Sequence, residues 1–528
     1  MIKIFDTTLR DGSQSSDVSF SIKDKLGIVR ALDDFGVDFV ELGWPAANAK
    51  EMETFLQAAA LNLRTKIVAF GATRKKGIRA EQDANLRAII ESKAKVACIF
   101  GKSWMQHVEK QLRMNKEENL AAIYNSIMFL KKNKLKVFYD AEHFFDGFKD
   151  NKDFSLACLE KAALAGAKCL VLCDTNGGTL PDEFDNILSE VKLFLKIKKI
   201  TTELGVHIHN DSGFAVANTI KAVDFGISHL QVTVNGFGER AGNADLCQIV
   251  PVLVLKKGIH LPRIRLHELT KLSNLVYTLA NIKPNNHQPF VGKNAFSHKG
   301  GIHVDALMKG ASYEHITPEA VGNKRKIILS DLSGKANIIQ VIKKFGYQVS
   351  KDDSRVGEML KKVEKLDRKG YDIRELSAEE FLLAEEFFGN RGIFFKIETW
   401  KILSEQRNGE FSECILRGKV NNEQADVVAS VHGGPVDAVF HALKKLIGPH
   451  YKNIECVVLT NYKVMIAQDN GAESSVRVYI EFKNGSDEWG TVGVSTNILE
   501  ASLEAIEKGF TYFLLKHYLS NSNIYKYP

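Results

Sequence analysis

Eight short apolar runs recur through roughly the first 260 residues, about 20–40 residues apart, with stretches of helical periodicity between them. They are IKIFDTT (2–8), VDFVELGW (37–44), KIVAFGA (66–72), KVACIFG (95–101), KVFYDAE (136–142), KCLVLCD (168–174), GVHIHND (205–211) and SHLQVTVNG (228–236). Several helical stretches stop at a glycine (Gly36, Gly166, Gly226), where a left-handed C-cap is expected. Strand and helix alternating eight times predicts an α/β chain whose residues 1–260 close into a (β/α)8 barrel; the open doubly wound sheet is the competing arrangement.

Polar residues gather where the runs end: Arg10 and Asp11, Glu41, Asp140 and Glu142, Asp174 and Thr175, His207 and His209, Glu239 and Asn243. In a barrel all of these converge on the C-terminal mouth, the face that carries catalytic groups.

His207 and His209 are two apart on a strand, so both imidazoles project from one face and can reach one metal. Alone, the pair reads more simply as a polar strand end. Asp11 strengthens the metal reading, because the first strand neighbours the last in a closed barrel, and Asn243 follows the eighth run. This mixed nitrogen and oxygen set suits Zn²⁺, Mn²⁺, Co²⁺ or Mg²⁺ without choosing among them. Arg10 would set a permanent cation beside the ion, able to stabilise negative charge on an oxygen; alone, it reads as a salt bridge at a turn. Asp140 and Glu142 share a strand face at the same mouth, and one of them could act in proton transfer or hold a reactive water. The plainer reading is a solvated strand end. Thr175 offers a hydroxyl to a carboxylate or carbonyl, or simply caps a turn.

Beyond the barrel the pattern changes. Residues 261–400 read as helical linker subdomains, with a charge-dense stretch near 355–388 taken as solvated helix faces. Within them, 294–323 is loop-like and rich in His and Gly. Gly300-Gly301 permits a mobile backbone, and His303 and Asp305 share a face if that segment is extended, so a catalytic histidine here could complete a site by covering it. Residues 401–528 carry an internal repeat at an offset of 63, pairing Cys414–Leu416 with Arg477–Tyr479 and Asp437 with Glu500. Each copy reads as strands followed by an amphipathic helix, a duplicated ββα-type unit in an α+β domain. Gly433-Gly434 could offer backbone N–H groups to an amino-acid carboxylate, though a helix-start turn is the simpler account.

Composition closes off other classes. With 45% hydrophobic and 26% charged residues, the chain is not wholly disordered. A formal charge of +7 over this length is mild, and no basic block is interleaved with aromatics, so no nucleic-acid partner is expected. No apolar run approaches the ~20 residues that span a bilayer. The seven cysteines include no CxxC and read as reduced core thiols, and no signal peptide is expected, so the expected setting is cytoplasmic with no membrane partner.

DTTLRDGSQ (6–14), HIHND (207–211) and NGFGERAGNADL (235–246) resemble the signatures of the DRE-TIM metallolyase superfamily. FSHKGGIHVDAL (296–307) and the duplicated C-terminal domain are similar to its 2-isopropylmalate synthase/homocitrate synthase family of Claisen-condensing enzymes. ELGWP, YDAEHFFDGF, LCDTNGGTLP and SYEHITPEAVGN look most like the (R)-citramalate synthase branch, and the resemblance covers essentially the whole chain. It implies a TIM barrel that joins acetyl-CoA to a 2-oxo acid, here pyruvate, giving citramalate and CoA in isoleucine biosynthesis. It implies a divalent metal on Asp11, His207, His209 and Asn243, oxo-acid contacts from Arg10 and Thr175, and Glu142 beside the reacting carbons. His303, Asp305, Tyr313 and Glu314 fall in the segment that family members lend to a neighbouring subunit's active site, so a homodimer is implied. The C-terminal repeat then corresponds to a regulatory domain, with isoleucine the expected inhibitor.

The chemistry agrees with those roles. An acetyl methyl is a very weak acid, so a positioned base is needed; Glu142 and His303 are both candidates, and a water must later cleave the thioester. Holding three participants in place can supply up to roughly 7–11 kcal/mol of the barrier. The alternatives are 2-isopropylmalate or homocitrate formation, the reverse chemistry of a lyase or aldolase, and an amino-acid-binding regulator on a dead barrel. The last requires a broken metal set, yet all four candidate ligands are present.

Overall fold

The computed structural model describes residues 1–330, 333–373, 376–389, 393–406, 410–468 and 474–519. It divides into two compact units, Met1–Phe296 with Ile316–Lys324, and Ser297–His315 with the chain from Arg325 onward.

The first unit is built on eight parallel strands: β1 (Lys3–Asp6), β2 (Phe39–Gly43), β3 (Lys66–Ala72), β4 (Val96–Lys102), β5 (Lys136–Glu142), β6 (Cys169–Asp174), β7 (Glu203–Ile208) and β8 (His229–Val232). β8 pairs back onto β1, with Lys3 opposite His229 and Asp6 opposite Val232, so the sheet is a closed barrel and not an open one. The helices between strands start and stop where local chemistry dictates. Ile22–Phe35 begins at a reciprocal Ser21/Asp24 capping box and ends at Gly36, whose φ of 105° is a conformation that glycine adopts without a Cβ clash. Lys152–Ala165 ends in the same way at Gly166. Gly226 also has a positive φ, one residue past the cap of Ala215–Asp224.

The two-residue period of the strands sorts side chains into two layers. Ile4, Val137, Tyr139, Leu170, Leu172, Val206, Ile208, Leu230 and Val232 face the surrounding helices. Phe5, Phe39, Val68, Phe70, Val96, Cys98, Phe138, Cys169 and Val171 fill the barrel. Following the inward positions toward the strand ends, the character turns from apolar to polar: Phe39 then Glu41, Phe138 then Asp140 and Glu142, Gly205 then His207 and His209. The lower layers form a packed floor, each buried large apolar side chain contributing about 1.5–3 kcal/mol. The upper layer is left to chemistry.

One polar group sits in that floor. His229 is fully buried against the rings of Phe5, Phe39 and Phe138, and neither ring nitrogen has a hydrogen-bond partner. Burial pushes its pKa down to about 3, so folding holds it neutral while the unfolded chain would protonate it near 6.5. The unfolded state binds more protons between those values, and this residue's contribution to stability therefore falls as pH drops below 6.5. His229→Leu is expected to raise stability by about 1–2 kcal/mol at pH 7, and by more at pH 5. Urea denaturation at both pH values measures this; equal or lower stability of the variant would refute it.

The second unit contains the helices Gly301–Met308, Lys335–Lys344, Ser354–Arg368 and Ser377–Phe388, followed by the duplicated domain. Each copy is of the expected ββα type with an additional leading strand. Phe395–Gln406, Glu410–Val420 and Glu423–Val431 precede helix Pro435–Ile447; Val458–Gln468, Ser475–Asn484 and Asp487–Ser495 precede helix Ile498–Leu514. The two helices pack against each other through Phe440 and Phe510, stacked at 5.3 Å. Residue 401, the expected start of the last domain, lies inside the first of these strands.

Three expectations change here. The 294–323 segment is not all loop, because Gly301–Met308 is helical, and His303 and Asp305 point to different sides of that helix instead of sharing an extended face. The charge-dense region is not uniformly solvated. Glu379, Glu380 and Glu385 are buried, accepting hydrogen bonds from the Val492 backbone N–H, the Lys344 ammonium and the Tyr347 hydroxyl. Six cysteines are buried free thiols, as read from the sequence, but Cys456 is exposed. Among the described residues no helix is long and apolar enough to cross a membrane.

Candidate active site

The polar upper layer of the barrel lines a cavity of about 400 Å³ at the C-terminal mouth. Arg10, Asp11, Asp140, Glu142, Thr175, His207, His209 and Glu239 supply part of its polar wall, and Trp44, Phe70 and Phe100 part of its apolar one.

Asp11, His207 and His209 bring one ligand atom each within 4.8 Å of one another. Asp11 Oδ2 lies 3.0 Å from His207 Nε2 and 3.7 Å from His209 Nε2, and the two Nε2 atoms are 3.2 Å apart. The Asn243 amide nitrogen is 3.1 Å from the same Asp11 oxygen, while its Oδ1 is buried without a hydrogen-bond partner. A half-turn of that amide, which exchanges nitrogen and oxygen at no steric cost, presents the orphaned oxygen to the same point.

The charges fit a cation there. Burial alone would raise the Asp11 carboxyl, but the Arg10 guanidinium and the His207 hydrogen bond hold it well below the usual range, so it is ionised. Burial would lower His207, but the hydrogen bond and charge of Asp11 carry it upward. His209 is driven down to about 3 by burial and by His207, which leaves it neutral and able to donate a lone pair. An ionised carboxylate, imidazole lone pairs and an amide oxygen form a donor set for a divalent ion, and the ion would replace the proton that His207 otherwise holds against Asp11.

Arg10 is fixed from three sides. Its Nε is 2.6 Å from Glu41 Oε2, one terminal nitrogen is 3.2 Å from Asp11, and the guanidinium lies 3.9 Å over the Phe70 ring. Burial opposes its charge, but Glu41 and Asp11 outweigh it and raise its pKa further. Glu41 is wholly buried behind it, where it also accepts from the Thr7 hydroxyl at 2.6 Å. Thr175 Oγ1 accepts the His143 backbone N–H at 2.9 Å, which leaves the hydroxyl proton free to donate. His143 holds that orientation with a left-handed φ of 56°. Asp174 instead turns away to accept from the Thr179 N–H.

Glu142 pairs with Lys102 at 2.6 Å, and Lys102 is buried. Asp140, on the same inward face, is pushed up to about 6 by burial and by Glu41. Lys102 lies one residue beyond the fourth apolar run, and its only sequence signal is a charge at a strand end. Gln231 is the other residue the sequence reading passed over, a single amide inside the eighth run.

His303, Asp305, Tyr313 and Glu314 belong to the second unit. His303 stacks on Tyr313 with centroids 4.5 Å apart, and Asp305 pairs with Lys309 and Lys351. Glu314 is almost buried, paired to Arg325 through both oxygens and to His298 at 2.9 Å.

Comparison with known proteins divides the chain into three stretches. Residues 1–276 match the HMGL-like family, 290–370 the homocitrate synthase post-HMGL domain-like family, and 372–514 the LeuA allosteric (dimerisation) domain. The chain is 42% identical to the (R)-citramalate synthase of Sulfolobus acidocaldarius, over 99% of this chain and 98% of that one. It is 42% identical to the (R)-citramalate synthase of Geobacter sulfurreducens, over 98% of each. Identity to a probable 2-isopropylmalate synthase of Archaeoglobus fulgidus is 31% over 97% of each.

Proposed function

The chain belongs to the (R)-citramalate synthase family, and from that premise we propose how its residues carry out the reaction. It is an acetyl-CoA-dependent condensing enzyme of the acyltransferase type: acetyl-CoA, pyruvate and water give citramalate and CoA. The observation that carries the site assignment is the meeting of Asp11 with His207 and His209, nearly 200 residues further along the chain, at one point of the mouth cavity.

Asp11, His207, His209 and Asn243 are the residues that hold the family's divalent metal, taken here as Zn²⁺, Mn²⁺, Co²⁺ or Mg²⁺, which when bound supplies Lewis acidity toward a keto oxygen. Arg10 faces the negative charge that develops on that oxygen, and its ties to Glu41 and Asp11 mean that no reorganisation is needed when the charge appears. Thr175 donates its hydroxyl to the oxo acid's carboxylate. Glu142 or His303 removes the proton from the acetyl methyl, and water then cleaves the thioester. His303, Asp305 and Tyr313 act as the segment lent to a neighbouring subunit of a homodimer; Glu314, with both oxygens engaged, anchors that segment instead of binding substrate. The free cysteines fit a cytoplasmic setting.

Substrate choice is tested by thiol release from acetyl-CoA with a panel of oxo acids. Pyruvate is expected to exceed 2-oxoisovalerate in kcat/KM by about 10–200-fold, the range set by one or two misfit carbons in a shaped pocket. Preference for 2-oxoisovalerate or 2-oxoglutarate would move the enzyme to another branch.

The LeuA-type domain is read as the seat of feedback by isoleucine. Helix Ser377–Phe388 packs onto the second copy through Glu379, and residue 400 lies within a strand, so the intact chain is the form to test. Isoleucine is expected to lower the rate at a concentration at least about tenfold below that of leucine, a difference of methyl placement. Equal potency, or no inhibition, would refute this effector.

A further inference from the structure

Behind the proposed metal ligands lies a buried hydrogen-bonded chain that crosses the barrel. Gln231 is paired with His207 in the register of β7 and β8, so the two side chains lie side by side on the inward face. Gln231 Oε1 is 2.8 Å from His207 Nδ1. Its Nε2 reaches across to β5, 3.0 Å from Asp140 Oδ1. Cys98 on β4 also donates to that Asp140 oxygen, at 3.1 Å. Asp140, Gln231 and His207 are all buried.

Only one sense of this chain satisfies every member. An ionised carboxylate accepts and cannot donate, so in that form Asp140 must face the amide nitrogen of Gln231, as it must also accept from the Cys98 thiol. The amide oxygen is thereby turned to His207, where it needs a proton on Nδ1. A neutral His207 protonated at Nδ1 carries its lone pair on Nε2, the nitrogen 3.0 Å from Asp11. The opposite amide orientation would set two oxygens against each other at Asp140 and place the imidazole proton on Nε2. His209 has no comparable support, since its Nδ1 is buried without a hydrogen-bond partner.

We propose that Asp140 and Gln231 are positioning residues that fix the tautomer of His207, so that Nε2 is offered to the cation as a lone pair. The inference rests on the reading of Asp11, His207, His209 and Asn243 as a metal site. It also gives Asp140 a role at the mouth distinct from proton transfer.

The test measures Mn²⁺ affinity of the full, chelator-stripped chain without substrate, by the electron paramagnetic resonance signal of the free ion. Thermal melting of the same metal-free samples reports folding. Asp140→Asn, which can donate or accept and so releases the amide, and Gln231→Leu, which removes it, are each expected to weaken Mn²⁺ binding by about 10–100-fold. The double variant Asp140→Asn/Gln231→Glu keeps the sense of the chain, because the new carboxylate accepts from both the new amide and His207 Nδ1–H. It is expected to bind at least about tenfold more tightly than Asp140→Asn alone, a rescue that a merely structural role would not give. Unchanged affinity in both single variants would overturn the relay while leaving the metal site standing, and so would a double variant no better than Asp140→Asn. Wild-type protein that takes up no Mn²⁺ would overturn the metal reading and the relay with it.

Discussion

His207→Ala is expected to lower kcat/KM by at least about 10³-fold, since charge stabilisation by a bound metal contributes several kcal/mol and each 1.36 kcal/mol is tenfold in rate. The substitution removes one of three converging ligand atoms and the hydrogen bond that helps hold Asp11 ionised. It also leaves the Gln231 oxygen without its partner. The fold should survive, because His207 lies in the polar upper layer and the floor of Phe5, Phe39 and Phe138 is untouched. Rates are to be measured with acetyl-CoA and pyruvate under added metal, alongside near-ultraviolet circular dichroism. A folded variant retaining a tenth of the wild-type turnover would show that His207 does not hold the catalytic ion.

Arg10→Met should be nearly as severe, and it separates two effects. Loss of a fixed donor facing a developing oxyanion costs about 10²–10³ in kcat. Loss of one partner from a buried ion pair costs about 3–5 kcal/mol of stability, because Glu41 is left buried and uncompensated. The double variant Arg10→Met/Glu41→Gln removes the stranded charge. It is expected to recover most of the stability in urea denaturation and none of the rate. Recovery of both would mean that Arg10 serves the fold and not the chemistry. Arg10→Lys keeps the charge but loses the fork that engages Glu41 and Asp11 and the flat face over Phe70, so it should fall between wild type and methionine.

The barrel and its mouth were legible because both obey short-range rules. A period of two places residues 138, 140 and 142 on one face whatever surrounds them, and parallel strands bring all their ends to one side. Asp11, His207 and His209 could therefore be grouped across nearly 200 residues of intervening chain. Gln231 could not, because a single amide in an apolar run has no partner at fixed spacing, and its importance lies in reaching across the barrel to Asp140. The same limit explains Glu379, Glu380 and Glu385. A charged helix reads as solvated unless the strand edge, ammonium and hydroxyl that receive it are known, and those come from remote parts of the second unit. Gly300-Gly301 read as loop because glycine permits it, yet Gly300 in an extended conformation is the N-cap of a helix that begins at Gly301.

Four side chains from three separate stretches of the chain, Asp11, His207 with His209, and Asn243, are assigned to one cation at the barrel mouth. The direct measurement is an anomalous difference map from crystals of the protein loaded with Zn²⁺. A single strong peak is expected about 2.0–2.2 Å from Asp11, His207 and His209, with the Asn243 amide turned to point its oxygen at it. A peak held by other residues, or none at this point in fully loaded protein, would contradict that assignment.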